Sequence, residues 1–464
     1  MSLAIVIMAA GKGTRLKSKR PKVLHAIGGK PLLAHVIAAA RRIVPASDIH
    51  VIVGHQAERV EAALSDTGVH FVLQAEQLGT GHAIQCARQA IAGYDNVLVL
   101  SGDVPLIRPE TIEALKEFHL HEGAAMTILT ATPADPYGYG RIMRKNAVEA
   151  DVAAIVEQKS LASGQETIGE INTGIYAFRT ATLLEHLNAL TAGNNQGEYY
   201  LTDIAGILTA AGERVVALEA ADAGEVLGAN TIAELVTLDA TLRGRTALQL
   251  MAQGVTIFRP ETCVIDADVE IEPDTVIEPY VQLLGHTRIG ADCLIRSGTV
   301  IENSTIADGV LIRQSCVITD SAVGSKATIG PFAHMRPGSE IGAEAHVGNF
   351  VETKKARLGK GAKVGHLTYL GDADIGAGTN IGAGVITCNY DGVNKHATTI
   401  GEGAFVGSDS TLVAPVAIGN GAYIGAGSCI TRDVPADALS VGRSRQVTKE
   451  GWAAAKRNRR KTVC

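Results

Sequence analysis

A glycine-rich loop near the N-terminus has the composition of a phosphate-binding segment. The apolar residues 3–8 run directly into Ala9-Ala10-Gly11-Lys12-Gly13-Thr14-Arg15-Leu16. Backbone N–H groups of such a loop can approach phosphate oxygens closely, and its lysine and arginine add positive charge. The loop is not a dinucleotide-binding fingerprint, because Leu16 replaces the third glycine, and it lacks the Gly-Lys-Ser/Thr ending of a P-loop. Taken alone, such a loop is more often a tight strand-to-helix turn.

An acidic residue further along the chain is suited to a divalent cation. The apolar, strand-like residues 97–100 are followed by Ser101-Gly102-Asp103-Val104-Pro105. A carboxylate at the C-terminal end of a strand, next to a glycine, is well placed to bind a hard metal ion such as Mg²⁺. An isolated Asp in a loop is usually only a turn residue. The metal hypothesis for Asp103 therefore depends on the motifs around it.

A histidine in the second half of the chain is suited to general base catalysis. His366 follows Val364-Gly365 and precedes Tyr369. An amine that attacks a thioester must lose a proton as it reacts, and an imidazole with an unperturbed pKa of about 6.5 accepts a proton near neutral pH. Most histidines are instead satisfied surface or core residues. The hypothesis for His366 therefore depends on the two segments that flank it.

Both flanking segments depart from their surroundings. Residues 336–357 concentrate the cations Arg336, Lys354, Lys355 and Arg357, whereas residues 387–396 interrupt a repeat and predict an external loop. A repeat domain with only a structural role would not need a basic surface beside a histidine. The combination favours a catalytic site on the repeat.

The repeat has a period of six residues and determines the architecture that positions His366. From Ile271 to Ile430 an aliphatic residue recurs at nearly every sixth position, commonly followed by a small or acidic residue. This spacing matches neither a helix nor a simple strand, and it is typical of a parallel β-helix whose stacked coils bury a continuous core. Three repeats make one triangular coil, with Gly, Asn or Asp expected at the corners. The spacing does not determine handedness.

The N-terminal half has a different pattern, in which apolar strand-like runs alternate with helical stretches. This alternation predicts a mostly parallel, helix-covered α/β sheet with sites at the C-terminal ends of its strands. An amphipathic stretch then predicts a connecting helix. We expect a catalytic α/β domain at 1–230, a linker helix at 231–253, and a β-helix domain with a C-terminal tail at 254–464.

Composition narrows the class of protein. A net charge of −6 argues against a general nucleic-acid binder. The seven cysteines, which include Cys464, are scattered and contain no Cys-x-x-Cys pair, so we expect reduced thiols in a cytoplasmic protein. The apolar N-terminal run lacks a basic leader and is too short for a signal peptide or a membrane span.

The N-terminal motifs together resemble the nucleotidyltransferases that make nucleotide-sugars from a sugar 1-phosphate and a nucleoside triphosphate. The combination of Gly-x-Gly-Thr-Arg with Pro21-Lys22 is much more specific than either part. Further matches follow in order, and they are Gln74 to His82, the segment at Asp103, Tyr139-Gly140-Arg141, Glu157, Glu170 to Gly174, Gly197 to Asp203, and Gly228-Ala229-Asn230.

This resemblance implies a role for each matching residue. Arg15 and Lys22 would be catalytic cations on the triphosphate, and Asp103 and Asn230 would bind Mg²⁺. The residues implied for UTP and the sugar nucleotide are Ala9, Ala10, Gly11, Lys22, Gln74, Gly79, Thr80, Ser101, Asp103, Gly140, Glu157, Asn172 and Asn230. One departure from the family pattern is Ser101, where the uridyltransferases carry Tyr.

From about residue 3 to Trp452 the chain is similar to the family of bacterial bifunctional N-acetylglucosamine-1-phosphate uridyltransferases and glucosamine-1-phosphate N-acetyltransferases. The resemblance implies an α/β nucleotidyltransferase domain with a Rossmann-like sheet, joined by a helix to a left-handed parallel β-helix that forms a homotrimer. His366 would be the general base. Arg336, Lys354, Tyr369 and Asn380 would bind glucosamine 1-phosphate. Acetyl-CoA would contact Ala383, Asn389, Tyr390, Ser408, Ala426 and Arg443.

Two other functions are weighed against this prediction. One is a single-function sugar-1-phosphate nucleotidyltransferase with a structural or regulatory β-helix, which the basic surface beside His366 disfavours. The other is a non-catalytic scaffold, which the cations of residues 11–22 and Asp103 disfavour. Release of CoA in the presence of glucosamine 1-phosphate separates the first from the bifunctional enzyme, and release of pyrophosphate from UTP separates the second.

Overall fold

The computed structural model describes residues 1–145, 150–193 and 197–461, so Cys464 lies outside the described residues. The chain divides into two compact units, Met1–Leu242 and Arg243–Cys464, which we call unit 1 and unit 2. Within the described ranges, no helix combines the length and the apolar character that crossing a membrane requires.

Unit 1 is built on a sheet of nine strands among its described residues, in the order β11-β7-β10-β6-β1-β4-β5, with β8 paired to β10 and β9 to β8. The strands of this sheet are β1 (Leu3–Met8), β4 (Ile49–Val53), β5 (His70–Leu73), β6 (Asn96–Ser101), β7 (Met126–Ala131), β8 (Arg141–Arg144), β9 (Val152–Val156), β10 (Ile171–Arg179) and β11 (Val215–Glu219). The strands β2 (Ala26–Ile27) and β3 (Lys30–Pro31) pair with each other separately. The pairs of β1 with β4 and β6 are parallel, whereas β10 is antiparallel to β6 and β7. Six of the seven strands on the main path run in one direction and only β10 opposes them, so the sheet is mixed but mostly parallel, as predicted.

Helices cover both faces of this sheet, and each face has its own apolar core. They are α1 (Leu32–Ala40), α2 (Ala57–Ala63), α3 (Thr80–Cys86), α4 (Arg88–Ile91), α5 (Pro109–Glu122), α6 (Thr180–His186) and α7 (Asp203–Ala210). The ends of α5 show how the sequence defines them. Pro109 occupies the first turn, where an N–H would lack a partner, and Gly123 ends the helix in the left-handed conformation, with φ of 57°.

A long helix, α8 (Ile232–Ala252), contains the boundary between the units. It begins with a capping box, in which Glu234 Oε2 accepts from the Thr231 N–H and the Glu234 N–H donates to Thr231 Oγ1. Its first half adds Leu238 to an apolar cluster of unit 1. Its second half adds Ala247 and Leu250 to the core of unit 2.

Unit 2 is a parallel β-helix, and the hexapeptide repeat is consistent with the expected left-handed form. One of its two parallel sheets contains the strands Thr256–Ile257, Val276–Ile277, Leu294–Ile295, Leu311–Ile312, Thr328–Ile329, His346–Asn349, Lys363–His366, Asn380–Ile381, Phe405–Val406, Tyr423–Ile424 and Leu439–Ser440. The other covers the two remaining faces of the triangular coils, which the long strands Glu352–Leu358 and Tyr369–Ile375 join. It contains the strands Val264–Ile265, Glu270–Ile271, Gln282–Leu284, Arg288–Ile289, Val300–Glu302, Thr305–Ile306, Val317–Thr319, Ala322–Val323, His334–Met335, Glu340–Ile341, Glu352–Leu358, Tyr369–Ile375, Ile386–Cys388, Thr398–Ile400, Thr411–Val413, Val416–Ile418 and Cys429–Ile430. Helix α9 (Trp452–Lys461) follows.

The register of the strands accounts for the six-residue period. Ile271 pairs with Ile289 and Ile289 with Ile306, so successive coils have 18 and 17 residues. The aliphatic residues of the repeat are buried, as Ile295 and Ile318 illustrate, with no exposed side-chain surface. Burying one such side chain contributes about 1.5–3 kcal/mol. Repetition of this contact at every coil holds the column of coils together.

The corners of the coils carry a wider range of residues than we expected. Asp274, Asn303 and Asp320 have positive φ at corners, in agreement with the expectation, but Phe332 and Phe350 have φ of 54° and 56°. Bulky residues rarely adopt this conformation. Two contacts offset its cost, because the Phe350 N–H donates to the Phe332 carbonyl at 3.2 Å and the two rings stack with centroids 5.4 Å apart.

Candidate active sites

A cavity of about 510 Å³ lies at the C-terminal ends of the central strands of unit 1. The glycine-rich loop after β1, Gln74 after β5, and Ser101 and Asp103 after β6 all contribute to its wall. Nine residues predicted to bind the nucleotide line it, namely Ala9, Ala10, Gly11, Lys22, Gln74, Gly79, Thr80, Ser101 and Asp103. Parallel strands end at one edge of a sheet, which explains why residues so distant in sequence meet there.

The segment from Gln74 to Gly81, which the family resemblance predicts to be the base-reading segment, is held largely by contacts with backbone atoms. Gln74 is 3% exposed, and its Nε2 donates to the Gly79 carbonyl at 3.0 Å. A Cβ on Gly79 would lie 2.5 Å from the Tyr199 carbonyl oxygen, so only glycine fits there. The Gly81 N–H donates to the same carbonyl, and the Leu201 N–H donates to Thr80 Oγ1. The segment around Tyr199 therefore supports the base-reading segment.

The three residues predicted to hold the sugar form one group. The Asn172 N–H donates to the Gly140 carbonyl at 2.8 Å, and a Cβ on Gly140 would contact Glu157 Oε2. Asn172 Nδ2 donates to the Tyr176 hydroxyl, and Thr202 Oγ1 donates to Glu157 Oε1 at 3.1 Å. Burial raises the pKa of the Glu157 carboxyl. Carbonyl and carboxylate acceptors next to an amide suit hydroxyl and acetamido groups.

Ser101, which departs from the family pattern, has a specific partner. Its hydroxyl donates to the Gly174 carbonyl at 3.3 Å, and Gly174 has φ of 77°. Ser101 lies at the end of β6 and Gly174 lies in the neighbouring strand β10, so this hydrogen bond joins the two strands.

The two predicted metal ligands lie within reach of one cation. Lys22 Nζ forms an ion pair with Asp103 Oδ2 and donates to Asn230 Oδ1 at 3.0 Å. Arg15 also donates to Asn230 Oδ1, at 2.7 Å. The capping box of α8 fixes Asn230, because Glu234 Oε2 accepts from the Asn230 N–H. A second tie is the Ala229 N–H, which donates to the Asp103 carbonyl at 3.1 Å.

These two ligands fit Mg²⁺ in number and chemistry. The ion is usually bound through one or two protein oxygens, with substrate phosphates and water completing the octahedron. Asp103 and Asn230 supply one carboxylate and one amide oxygen, and Asp103 lines the same cavity as the glycine-rich loop. Clusters of three or more His, Cys, Asp or Glu side chains that could enclose a metal do not occur among the described residues. The donor set therefore suits a metal that arrives with a phosphate ligand.

In unit 2, His366 is the last residue of its strand and is exposed. It pairs with Asn349 in the neighbouring coil, and its Nδ1 lies 2.5 Å from Asn349 Oδ1. An amide oxygen only accepts hydrogen bonds, so His366 carries its proton on Nδ1 in this contact. The lone pair is then on Nε2, which faces away from Asn349 and is available as a base.

A group of cations lies on the adjacent face. Arg336 and Lys354 occupy equivalent positions in neighbouring coils, because His334 pairs with Glu352 two residues earlier. Glu352 Oε1 accepts from Arg336 NH1 at 2.9 Å. Lys395 and then Arg336 hold the pKa of the Lys354 ammonium below its ordinary value by charge repulsion. Neighbouring cations that repel each other in this way favour the binding of an anion between them.

Lys395 reaches this group from the loop that interrupts the repeat. The loop lengthens one coil, since Ile375 pairs with Ile400, a step of 25 residues. Tyr390 and Lys395 bridge across it. Asp391 accepts from the Asn394 and Val393 N–H groups and pairs with His396, and these bonds, led by that of Asn394, lower the pKa of Asp391 to about 2.

The other predicted sugar-phosphate residues are not equally close. Tyr369 pairs with Glu352, and its hydroxyl lies over Gly371 together with Asn389 Nδ2. Asn380 pairs with Lys363, which lies on the same strand as His366 and precedes it by three residues. Within one chain, Tyr369 therefore belongs with the cation group and Asn380 lies apart from it.

Three predicted acetyl-CoA residues continue the column of coil positions that starts at His366. Val364 pairs with Ile381, Ile381 with Val406, and Val406 with Ile424. The positions two residues later are His366, Ala383, Ser408 and Ala426. Small side chains follow the histidine along this column, and the Arg443 stem lies near Gly427 next to Ala426. Asn389 and Tyr390 lie in the interrupting loop.

The prediction from sequence missed several residues of these sites. Asn349 precedes His366 by one coil, so the repeat spacing itself contained the signal for that contact. Lys395 had no such signal, because its position depends on the folded loop. Lys12, Gln77 and Glu198 also line the cavity of unit 1.

Comparisons with known proteins agree in both units. The MobA-like NTP transferase domain matches residues 5–198, the GMPPB C-terminal domain residues 259–351, and the bacterial transferase hexapeptide (six repeats) residues 397–432. A protein of Koribacter versatilis named "Bifunctional protein GlmU" is 62% identical over 99% of this chain and 98% of its own length. Proteins of the same name from Solibacter usitatus and Trichlorobacter lovleyi are 50% and 46% identical, over 99% and 98% of this chain and 98% and 99% of their own lengths.

Proposed function

This chain belongs to the family of bifunctional GlmU proteins, and we infer from that membership that it is both a uridyltransferase and an acetyltransferase of UDP-N-acetylglucosamine synthesis. Its substrates are nucleotides and sugar phosphates. The match extends over nearly the whole chain, so the single-function alternative has no support.

We propose that the two reactions use the two sites described above. Unit 2 transfers the acetyl group of acetyl-CoA to glucosamine 1-phosphate. Unit 1 then transfers the uridylyl group of UTP to N-acetylglucosamine 1-phosphate and releases pyrophosphate. When bound to Asp103 and Asn230, Mg²⁺ would neutralise charge on the triphosphate.

In unit 2, the residues divide the work of acyl transfer. Arg336, Lys354 and Lys395 bind the phosphate of glucosamine 1-phosphate. His366 Nε2 accepts the proton that the amine loses as its nitrogen attacks the thioester carbon, and Asn349 holds the opposite ring nitrogen. The carbon–sulfur bond then breaks, and the CoA thiolate takes up the proton held by His366 and leaves as the thiol, with its pantetheine arm along the small residues Ala383, Ser408 and Ala426.

In unit 1, the residues act mainly by positioning and by stabilising charge. Gly140, Glu157 and Asn172 orient N-acetylglucosamine 1-phosphate so that its phosphate oxygen attacks the α-phosphorus of UTP. The N–H groups at Gly11, with Arg15 and Lys22, stabilise the negative charge that passes to the departing pyrophosphate.

The observation that supports this assignment is a group of neighbouring cations in each unit, Arg15 with Lys22 in unit 1 and Arg336 with Lys354 and Lys395 in unit 2. The test is a pair of single-site variants assayed for both reactions. His366→Ala is expected to lose acetyl transfer, by roughly 10²-fold or more, and to keep uridylyl transfer. Asp103→Ala is expected to show the reverse. Equal loss of both activities in either variant would contradict the two-site assignment.

We propose in addition that the protein is a cytoplasmic homotrimer assembled through unit 2. The cysteines Cys86, Cys263, Cys293, Cys316, Cys388 and Cys429 are all free thiols, which supports a reducing compartment. Asn380 lies apart from the cation group of its own chain, which supports a site completed by a neighbouring copy. Analytical ultracentrifugation of the full chain tests the trimer, and a monomer at micromolar concentration would contradict it.

A further inference from the structure

Lys22 occupies the point at which the two proposed metal ligands converge. Its ammonium contacts Asp103 Oδ2 and Asn230 Oδ1, which are the oxygens that a divalent ion would use. The Lys22 and Asp103 side chains are only 15% and 23% exposed, so water screens this ion pair weakly.

The two cations exclude each other. Mg²⁺ binds its oxygens at about 2.0–2.1 Å, whereas an ammonium needs hydrogen-bond distance to the same atoms. Two positive charges between one carboxylate and one amide oxygen would repel each other strongly at this separation. A metal at Asp103 and Asn230 therefore requires Lys22 to leave both oxygens and the Arg15 guanidinium to leave Asn230 Oδ1.

Lys22 has an anionic destination within reach. It lines the cavity together with Gly11 and Thr14 of the glycine-rich loop. A Cβ on Gly13 would lie 2.6 Å from the Lys22 Cβ, so the loop packs against the base of the lysine stem. The far end of a lysine turns about several single bonds and can swing towards a phosphate while its base stays fixed.

We propose that Lys22 is the resident counter-ion of Asp103 in the nucleotide-free protein and moves to the phosphates when a metal–nucleotide complex binds. The inference rests on the uridylyl-transfer function proposed for unit 1 and adds a coupling to it. Without nucleotide, a metal ion must compete with a tethered ammonium. When a triphosphate is present, Lys22 gains a new anionic partner. Binding of the nucleotide therefore increases the affinity for the metal, and binding of the metal increases the affinity for the nucleotide.

Mn²⁺ alone is the probe for the first half of the proposal. Its binding to the nucleotide-free full chain is measured by electron paramagnetic resonance for the wild type, Lys22→Gln and the control Lys12→Gln. Lys12 has the same charge and lines the same cavity. We expect Lys22→Gln to bind Mn²⁺ on the order of 10-fold more tightly than Lys12→Gln, with the gain abolished by a second substitution, Asp103→Asn.

Equal Mn²⁺ affinities of Lys22→Gln and Lys12→Gln would overturn the proposal, provided that circular dichroism shows both variants folded. The second half predicts the opposite order for UTP at saturating Mn²⁺, which Lys22→Gln should bind more weakly than the wild type. Failure of the wild type to bind UTP would refute the uridylyl-transfer function. The Mn²⁺ comparison would still decide whether Lys22 competes with metal.

Discussion

The contact between His366 and Asn349 makes the tautomer of the histidine depend on a residue one coil away. Because Asn349 Oδ1 accepts a hydrogen bond from the His366 Nδ1–H group, the lone pair of Nε2 is left for the substrate. We expect Asn349→Ala to lower kcat of acetyl transfer by roughly 10-fold, less than the roughly 10²–10⁴-fold that general base catalysis contributes.

Asn349→Asp distinguishes this role from a structural one. A carboxylate beside Nδ1 raises the pKa of the imidazole, so the acidic limb of the kcat/KM profile for acetyl transfer should move to higher pH. Uridylyl transfer in the same protein is the internal control. An acidic limb that stays in place in a folded Asn349→Asp protein would contradict the assignment.

The cation group predicts a second pH effect. Lysine binds phosphate in its protonated form, and Lys395 lowers the pKa of Lys354. The KM for glucosamine 1-phosphate should therefore begin to rise at a lower pH than it would if Lys354 had the pKa of an ordinary lysine. Removal of Lys395 restores the pKa of Lys354 upward.

Lys395→Gln should accordingly show a higher KM at neutral pH, with its alkaline rise moved to higher pH. The control is Lys360→Gln, which removes an exposed lysine paired with Glu344 elsewhere on unit 2. Steady-state kinetics between pH 7 and 10 measure both effects. An unchanged pH dependence in Lys395→Gln would show that the two lysines do not interact.

Residue types and spacing predicted the position of most candidate residues but not their partners. The glycine-rich loop, Asp103 and Gln74 could be predicted to meet because each follows a parallel strand. The ion pair of Lys22 with Asp103 could not, because a side chain with four methylenes has many rotamers that the sequence does not distinguish. Lys395 was missed for a related reason, since a loop conformation determines where it lies.

At the scale of elements, the six-residue period was the strongest signal because each coil repeats the same contacts. The period determined which residues face inward, whereas the corners were less predictable. Phe332 and Phe350 adopt a backbone conformation that their type disfavours, since stacking between coils compensates for it. Such contacts depend on which residues become neighbours after folding.

The repeated burial of aliphatic side chains also predicts how much stability is lost when one of them is truncated. Ile306 is 1% exposed, and Ile306→Ala should destabilise unit 2 by about 2–5 kcal/mol through lost burial and a cavity. Thr305, its outward neighbour on the same strand, is the control, and Thr305→Ala should change stability by less than about 1 kcal/mol.

The measurement is the urea concentration at which acetyl transfer is lost, followed in parallel with uridylyl transfer. Ile306→Ala should lower the first midpoint and leave the second nearly unchanged. Similar midpoints for Ile306→Ala and Thr305→Ala would show that the coil tolerates the cavity.

At the scale of the whole molecule, two sites in one chain allow the reactions to be separated and recombined. If N-acetylglucosamine 1-phosphate is released by unit 2 and rebound by unit 1, a mixture of His366→Ala and Asp103→Ala proteins should convert glucosamine 1-phosphate to the nucleotide-sugar. Chromatography of the mixture, supplied with acetyl-CoA, UTP and Mg²⁺, measures the product.

A lag before the product appears would show that the intermediate accumulates in solution first. Each variant alone, given the same substrates, is the control and should make no nucleotide-sugar. No product from the mixture, while each variant keeps its own reaction, would mean that the intermediate does not pass through solution.

The column of positions from His366 through Ala383 and Ser408 to Ala426 has the property of a ruler. Each coil advances the same position by one strand spacing, about 4.8 Å, so Ala426 lies about 14 Å along the axis from the histidine. The length of a ligand that lies along this column therefore corresponds to a whole number of coils. Inserting one complete coil between Ser408 and Ala426 would increase the distance from His366 to Ala426 by one strand spacing. The number of coils could then be chosen to fit an acyl carrier with a shorter or longer arm.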